Sequence, residues 1–366
     1  VSGNDNIAMG TAALGSLTSG ACNIAMGENA LGVATDNCDN IAIGQSALAA
    51  SVNDGDNNIA IGKSAMGVGD VSGGHNIALG NDAGSGITTG AINIAIGCGA
   101  MQHGTVTGNE NIIMGFDAGD ALTSGACNIG IGHNAMGALT EATASIAIGE
   151  DAMGAATTSY CSVAIGHNTL GGGTMTGNDN IGIGQDAGDA ITSGACNIAI
   201  GPIAYGAAET GCYNTAIGYN SIGTGVTTGE MNVAMGVSSL AAVTSGNCNV
   251  AIGRSAVNAL TTGCHNVGIG GAALGGAAVT GNYNVAIGSN AMDALTSGIE
   301  NIAIGTDALG AATNNTGNVA IGCGALKTSA NNGDQNVAIG LNTMGGGDVD
   351  GDNNVAIGTN TMDALT

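Results

Sequence analysis

The chain has 366 residues and a formal charge of −24, from 27 acidic and three basic residues, with 69 glycines, one proline, one phenylalanine and no tryptophan. So few aromatic residues exclude an ordinary thick globular core, and glycines that do not recur at every third position exclude collagen. The scarcity of basic residues excludes a nucleic-acid groove and attraction to an anionic membrane surface. No apolar run approaches the ~20 residues that a spanning helix needs, so we expect no membrane insertion.

A short phrase, Asn-Ile-Ala-Ile-Gly at residues 40–44, recurs along the whole chain. Its closing glycine occurs 21 times, from Gly10 to Gly358, and all 20 intervals are 17 or 18 residues long. A fixed short period is the signature of a solenoid, in which each repeat forms one coil. The sequence therefore predicts an all-β fold, a parallel β-solenoid (β-roll) of 21 coils, with residues 1–366 forming a single continuous shaft.

The phrase opens with asparagine, four places before the closing glycine, in 19 of 21 copies; Ser145 and Ser162 are the exceptions. Asparagines stacked in parallel coils can form a ladder, in which each amide donates to one neighbour and accepts from the other. The alternative is that asparagine only suits the turn that enters the strand. The first members of this column are Asn6, Asn23, Asn40, Asn58, Asn76 and Asn93.

The next three residues alternate large apolar and small side chains, which predicts a short β-strand. We expect the large residues to face inward and the central column, alanine in 17 copies, to face outward. An apolar stripe of this kind would be a long exposed patch on a monomer, so we expect it to pack against neighbouring chains. The alternative is that it packs under the chain's own connector. The first members of the column are Ala8, Ala25, Ala42, Ala60, Ala78 and Ala95.

A second element follows each glycine, usually alanine and then leucine or methionine, as in Ala30 and Leu31. After it comes a connector rich in Gly, Thr, Ser, Asn and Asp, which are residues that favour turns. Each coil is therefore predicted to contain a strand, a turn, a second short strand and a longer turn.

The repeat Asn-Ile-Ala-Ile-Gly-x-x-Ala-Leu at residues 40–48 resembles the head repeats of YadA-like trimeric autotransporter adhesins, and at least as much the repeats of bacteriophage tail fibres. The resemblance covers essentially the whole chain. It implies a β-roll in which three chains pack side by side as a homotrimer. This period is longer than the usual adhesin head repeat.

Six of the ten cysteines form three pairs, each 16 residues apart, at one fixed offset: Cys22 and Cys38, Cys196 and Cys212, and Cys248 and Cys264. Adjacent coils put such residues near the ~5.5 Å Cα separation of a disulfide, which predicts coil-to-coil disulfides and an oxidising, extracellular setting. Buried free thiols are the alternative. The other four are free or bond to another chain: Cys98, Cys127, Cys161 and Cys323.

His133, Glu150 and His167 each follow the closing glycine in three successive coils. Stacked, they could bind a metal, but the same place holds residues such as Lys63 elsewhere, so a solvated outer face is the favoured interpretation and we expect no metal. Acidic turns at 54–56 and 348–352 could hold Ca²⁺ through oxygen atoms, but they lack a regular calcium-binding pattern. We expect no other cofactor.

No catalytic arrangement and no pocket is evident for a thin solenoid of small residues, so we expect no enzyme. The sequence predicts the structural shaft of an extracellular, cell-surface or virion fibre, with a phage tail fibre as the first assignment. It would hold a tip that binds a receptor or glycan away from its base, and its partner would be itself. A bacterial surface adhesin or a filament of chains stacked end to end is the second hypothesis. An ice- or carbohydrate-binding solenoid is the third, and it would need a column of threonines on one strand face.

Overall fold

The computed structural model describes residues 3–52, 55–223, 227–276, 278–328, 333–347 and 351–363. These residues form parallel strands and turns, and the predicted all-β solenoid is confirmed. The chain divides into two compact units, Val1–Asp186 and Ala187–Thr366. Asp54, Asp348 and Asp350 of the acidic turns considered for Ca²⁺, together with Val349, lie outside the described residues.

The first unit contains eleven strands of three residues each: β1 (Ile7–Met9), β2 (Ile24–Met26), β3 (Ile41–Ile43), β4 (Ile59–Ile61), β5 (Ile77–Leu79), β6 (Ile94–Ile96), β7 (Ile112–Met114), β8 (Ile129–Ile131), β9 (Ile146–Ile148), β10 (Val163–Ile165) and β11 (Ile181–Ile183). The second unit contains ten: β12 (Ile198–Ile200), β13 (Thr215–Ile217), β14 (Val233–Met235), β15 (Val250–Ile252), β16 (Val267–Ile269), β17 (Val285–Ile287), β18 (Ile302–Ile304), β19 (Val319–Ile321), β20 (Val337–Ile339) and β21 (Val355–Ile357).

Within each unit, every strand pairs in parallel with the strand of the next coil, and equivalent positions face each other. Ala25 of β2 pairs with Ala42 of β3 in the first unit, and Ala234 of β14 pairs with Ala251 of β15 in the second. The repeat period of the sequence is thus the length of one coil. Identical residues are stacked one strand spacing apart, about 4.8 Å.

The closing glycine has a steric reason in every coil. Gly44 has φ +136°, and a Cβ atom at this position would lie 2.3 Å from the carbonyl oxygen of Gly62 in the next coil. No other residue fits such a close approach of two backbones. This explains why the phrase ends in glycine in all 21 copies.

The second element is a pair of turns and not the predicted second strand. After Gly44, the N–H of Ala47 donates to the carbonyl of Gly44 at 3.3 Å, and the N–H of Ala49 donates to that of Ser46 at 3.4 Å. The third residue of each turn, Ser46 and then Leu48, has a positive φ, of 57° and 49°. Two overlapping turns of this kind reverse the chain direction within six residues, whereas a strand would extend it.

Leucine in a left-handed conformation is unusual, because its Cβ atom crowds the backbone at a cost of roughly 1–2 kcal/mol. Leu48 is fully buried, and burial of a leucine side chain contributes roughly 1.5–3 kcal/mol, which offsets that cost. The equivalent residue, four places after the glycine, has a positive φ in every coil. We call these residues the turn column; it includes Leu31, Leu48, Met66, Met101, Met136 and Met153.

The strand side chains point in the opposite direction to the prediction. The central residues of the strands, which we call the strand-centre column, face inward: Ala25, Ala42, Ala60, Ala78 and Ala95 have 0% exposure within their own chain. Ala8, in the first coil, is exposed. The first and last residues of each strand face outward and are half-buried or exposed. The prediction that the alanines form a chain-packing column is therefore wrong, because a fully buried methyl group cannot reach another chain.

The narrowness of the coil explains this orientation. The turn column lies directly across the interior from the strand-centre column: a Cβ atom on Gly84 would lie 3.2 Å from the Cβ of Ala78 and 3.1 Å from the Cγ of Met66. Since the turn column already fills the interior with leucine and methionine, only a small residue fits opposite it.

The asparagine column forms the predicted ladder, because side-chain amides donate to the Oδ1 of the asparagine in the preceding coil, as from Asn111 to Asn93 at 2.9 Å. A backbone hydrogen bond that was not predicted reinforces it. The backbone N–H of each asparagine donates to the Oδ1 of the asparagine in the preceding coil, as from Asn58 to Asn40 at 2.8 Å and from Asn76 to Asn58 at 2.9 Å. The side-chain amide also donates to a connector carbonyl, as from Asn58 to Gly73 at 3.1 Å. The ladder thus ties strand, connector and neighbouring coil together.

Candidate functional site

The outward side chains of the strands form the largest regular surface of each unit. We call it the outer face and define it as the first and last residue of every strand. These residues are Ile, Val, Met or Leu throughout β1–β21 apart from Thr215 in β13. Most of these residues are half-buried, and the more exposed ones include Ile61, Ile148 and Ile252, which are 37–39% exposed. The outer face therefore carries no charge and almost no hydrogen-bonding capacity.

The outer face is as large as the largest apolar patches that isolated proteins expose. Ten strand spacings of about 4.8 Å in the first unit give a stripe roughly 48 Å long, and a three-residue strand with its side chains makes it roughly 10 Å wide. Its footprint is on the order of 500 Å², at the upper end of the apolar patches found on monomers. Such a surface is typical of a contact with another molecule.

Side chains beside the outer face also stack from coil to coil. The rings of His265 and Tyr283 stack with centroids 4.9 Å apart and an interplanar angle of 4°, and Phe116 stacks on His133 at 5.6 Å. The two members of each pair come from successive coils and occupy the same place in the repeat. His265 and Tyr283 are five places before the closing glycine, and Phe116 and His133 are one place after it. The stacking shows that any residue in these places meets its counterpart in the next coil.

All ten cysteines are free thiols, so the predicted disulfides Cys22–Cys38, Cys196–Cys212 and Cys248–Cys264 are not formed. The thiols of each pair have separate surroundings. The second cysteine accepts a backbone N–H, as Cys38 does from Ala21 and Cys212 does from Ala195, both at 3.4 Å. The exposed thiol of Cys22 lies beside the Asp39 carboxylate, and desolvation, Asp39 and Asp5 raise its pKa. Four further thiols, Cys98, Cys127, Cys161 and Cys323, are exposed.

The acidic turns have structural partners in the part of the chain that is described. Asp56 Oδ1 accepts the backbone N–H of Cys38 at 2.7 Å, and Asp352 Oδ1 accepts that of Asp334 at 2.8 Å. In both cases a carboxylate links two successive coils. These carboxylates hold the connectors in place, which is a sufficient reason for acidic residues in these turns.

An ion pair and a neighbouring acid line a small surface pocket in the second unit. Lys327 Nζ lies 3.0 Å from Asp307 Oδ2, and this hydrogen bond lowers the pKa of the Asp307 carboxyl. Burial raises the pKa of the nearby Asp293. The other lining residues are Gly310, Ala311 and Thr328. Two acids with opposite pKa shifts can serve as acid and base, but they lie on an open surface beside a lysine that neutralises one of them.

The predicted His133, Glu150 and His167 do lie in one column. His133 Nδ1 is 3.7 Å from Glu150 Oε1, and ligand atoms of Glu150, Asp151 and His167 lie within 4.8 Å of one another. Sequence reasoning missed Asp151, because it stands two places after the glycine and not one. The only signal for it was its position next to Glu150.

Among the residues that the structure describes, no helix is long and apolar enough to cross a membrane. No known protein-family profile matches the chain, and no curated protein sequence matches it significantly.

Proposed function

We propose that this chain is the shaft segment of a fibre and that its copies pack side by side through the outer face. One observation carries the proposal: the outer face is apolar in every coil of both units, with Thr215 as its one polar residue in the described strands. A single chain leaves this surface in contact with water, and burying it would be favourable by roughly 25 cal/mol per Å².

A second copy of the same chain is the occupant that fits the outer face best. A stable contact buries about 800 Å² on each partner, and the outer face of the first unit alone offers a footprint on the order of 500 Å². The partner must be flat, uncharged and periodic at the strand spacing of about 4.8 Å, and the same face of another copy has all three properties. The charge of −24 lies outside the outer face, so it opposes the contact only at its margins.

The number of chains and the location are proposed from the resemblance to phage tail-fibre and YadA-like head repeats. It favours a homotrimer on a virion or a cell surface, with a binding tip elsewhere in the fibre that contacts a receptor or glycan. The free thiols give no separate argument for an oxidising compartment. The role is mechanical, because backbone ladders and asparagine ladders connect the successive coils of each unit.

The hypothesis of an ice-binding solenoid has less support. A flat column of threonines would be expected on one strand face, and Thr215 is the only threonine among the described strands. An assay of ice recrystallisation should accordingly detect no activity.

Sedimentation velocity on matched variants tests the proposal. Ile131→Lys with Ile165→Lys places two charges on the outer face, while Val33→Lys with Val68→Lys places the same charges on exposed residues away from it. We expect the wild type and the Val33/Val68 variant to sediment as the same oligomer. The Ile131/Ile165 variant should sediment as a monomer with an unchanged circular dichroism spectrum. A monomeric wild type, or an oligomer that survives the Ile131/Ile165 substitutions, would refute the proposal.

A further inference from the structure

The side chains of Glu150, Asp151 and His167 converge on the surface of the first unit, in the two coils that follow β9 and β10. One ligand atom of each, two carboxylate oxygens and an imidazole nitrogen, lies within 4.8 Å of the other two. We propose that these three residues, assisted by His133, bind one divalent transition-metal cation. This site is independent of the outer face and of the proposed assembly.

The backbone ladder sets the positions of these residues. The N–H of Asp151 donates to the carbonyl of His133 at 3.0 Å, and the N–H of Asn168 donates to that of Glu150 at 2.9 Å. His133, Glu150 and His167 each come directly after a closing glycine, so they are stacked one strand spacing apart in three successive coils. Three consecutive coils direct their potential ligands to the same side of the unit.

A neighbouring amide orients one of the carboxylates. Asn134 Nδ2 donates to Asp151 Oδ1 at 2.7 Å, from the coil before. Hydrogen bonds of this kind to a ligating carboxylate are a regular feature of metal sites, since they fix its orientation before the ion arrives. With this bond in place, Asp151 keeps a carboxylate oxygen within 4.8 Å of ligand atoms of both Glu150 and His167.

The ligand atoms must move closer together to surround an ion. Zinc lies about 2.0–2.2 Å from its nitrogen and oxygen ligands in a tetrahedral arrangement, so two ligand atoms around it are roughly 3.3–3.6 Å apart. The ligand atoms of Glu150, Asp151 and His167 lie within 4.8 Å of one another, so they must approach by up to roughly 1.5 Å. The side chains of His133 and Glu150 are 52% and 58% exposed, so rotation about their side-chain bonds can close the difference. His133 Nδ1, 3.7 Å from Glu150 Oε1, can provide a fourth ligand.

The electrostatic surroundings favour a cation. No lysine or arginine occurs between Lys63 and Arg254, and the chain as a whole carries a charge of −24. Elsewhere in the chain, the place after the closing glycine holds Lys63 and Arg254 themselves, which would repel a metal ion. The coils around Glu150 therefore combine ligands with an absence of competing positive charge.

The ligand types select the class of metal. Imidazole nitrogen suits Zn²⁺, Cu²⁺, Ni²⁺ and Co²⁺, whereas Ca²⁺ and Mg²⁺ prefer oxygen ligands alone. A site with one or two histidines and two carboxylates is therefore expected to bind Zn²⁺ in preference to Ca²⁺. An imidazole must be deprotonated to bind, so affinity should fall as the solution is acidified.

Isothermal titration with Zn²⁺ tests this proposal on the full chain, after its thiols have been alkylated with iodoacetamide so that cysteine cannot bind the ion. We expect one Zn²⁺ per chain. His167→Ala should weaken binding by about tenfold or more, and Glu150→Gln should also weaken it. His265→Ala is the matched control, because it removes an exposed histidine that stacks on Tyr283, and should leave the affinity unchanged.

Co²⁺ absorption provides a second measurement. The d–d bands of the bound ion should show nitrogen and oxygen ligation in the wild type and disappear in His167→Ala. Circular dichroism should confirm that all variants keep their fold, as expected for exposed residues. Absence of Zn²⁺ binding, a stoichiometry other than one, or equal affinity in His167→Ala would overturn the proposal.

Discussion

The two faces of one strand differ in a way that reverses the usual expectation. In β4, Ala60 is fully buried, while the larger Ile61 beside it is 39% exposed. Size and hydropathy alone would place isoleucine inside. The interior is shared with the turn column, however, and the space left opposite Leu48 and Met66 accepts only a methyl group. The space available inside a narrow coil thus decides which face of the strand turns inward. The more apolar face is left on the outside, where a partner can contact it.

An exception in the strand-centre column supports this explanation. Ile113 replaces alanine in β7 and is fully buried. The facing residue in the turn column of the same coil is Gly119, and the next strand has Gly130 at its centre. A Cβ atom on Gly119 would lie 3.1 Å from Ile113 Cγ2, and one on Gly130 would lie 3.0 Å from Ile113 Cδ1. The larger side chain of Ile113 thus fits because its two neighbours, Gly119 and Gly130, have no side chains.

The largest expected effect comes from a charge on the inward side of β4, compared with the same charge on its outward side. Ala60→Asp buries a carboxylate without a partner, and we expect a loss of stability of more than about 4 kcal/mol, enough to unfold the surrounding coils. Ile61→Asp should change the free energy of unfolding of a single chain far less, because within its own chain this side chain reaches water. Chemical denaturation followed by circular dichroism measures both. If the two variants lost similar stability, the assignment of inside and outside would be wrong.

A smaller effect is expected from the filling of the interior. Ile113→Ala should cost about 2–5 kcal/mol, because it leaves a cavity opposite Gly119. The double variant Ile113→Ala with Gly119→Leu recreates the arrangement of Ala42 and Leu48, and we expect it to recover most of the loss. Urea unfolding of the single and double variants measures the coupling free energy between the two positions. Additive losses would show that the two positions do not share one space.

The asparagine ladder should contribute less at each position. Asn58→Ala leaves the buried N–H of Asn76 without its acceptor, at a cost of about 1–3 kcal/mol. Asn58→Ser should cost less, since the Ser162 hydroxyl accepts the N–H of Asn180 at 3.2 Å in the natural chain. Thermal unfolding of the two variants measures which of them is more stable. A serine variant less stable than the alanine variant would contradict it.

The smallest effect concerns the outward thiol of Cys22. Because desolvation and the charges of Asp39 and Asp5 raise its pKa, less thiolate is present at neutral pH and alkylation should be slow, accelerating as the pH rises. Asp39→Asn removes one charge, so the thiolate should form at lower pH and react faster there. Mass spectrometry of iodoacetamide-treated protein measures the rate. Equal rates in the two proteins would show that Asp39 has no influence on this thiol.

Much of this fold was readable from the sequence, because the 17- or 18-residue period is the coil and the strands fall where the alternation places them. The orientation of the strands was not readable. Alternation defines two faces without identifying the inner one, and that choice depends on the turn column. Its residues, such as Leu48, have positive φ values that leucine rarely adopts, so composition alone suggests a strand there.

The candidate sites could be predicted only in part from the sequence, for a related reason. The alignment of His133, Glu150 and His167 follows from equal spacing, whereas Asp151 joins them only through the geometry of the turn. The three cysteine pairs had the correct spacing for disulfides. Instead, the second thiol of each pair accepts a backbone N–H, and the thiol of Cys22 lies beside the Asp39 carboxylate. Spacing does not report side-chain direction.

Electron cryo-microscopy of the purified wild-type chain would show directly whether copies pack through the outer face. We expect several chains in cross-section, with Ile61, Ile131 and Ile148 enclosed between neighbouring chains and Ala60 inside its own coil. A map with a single chain in cross-section and the outer face in contact with solvent would contradict it, and the proposed fibre assembly would have to be abandoned.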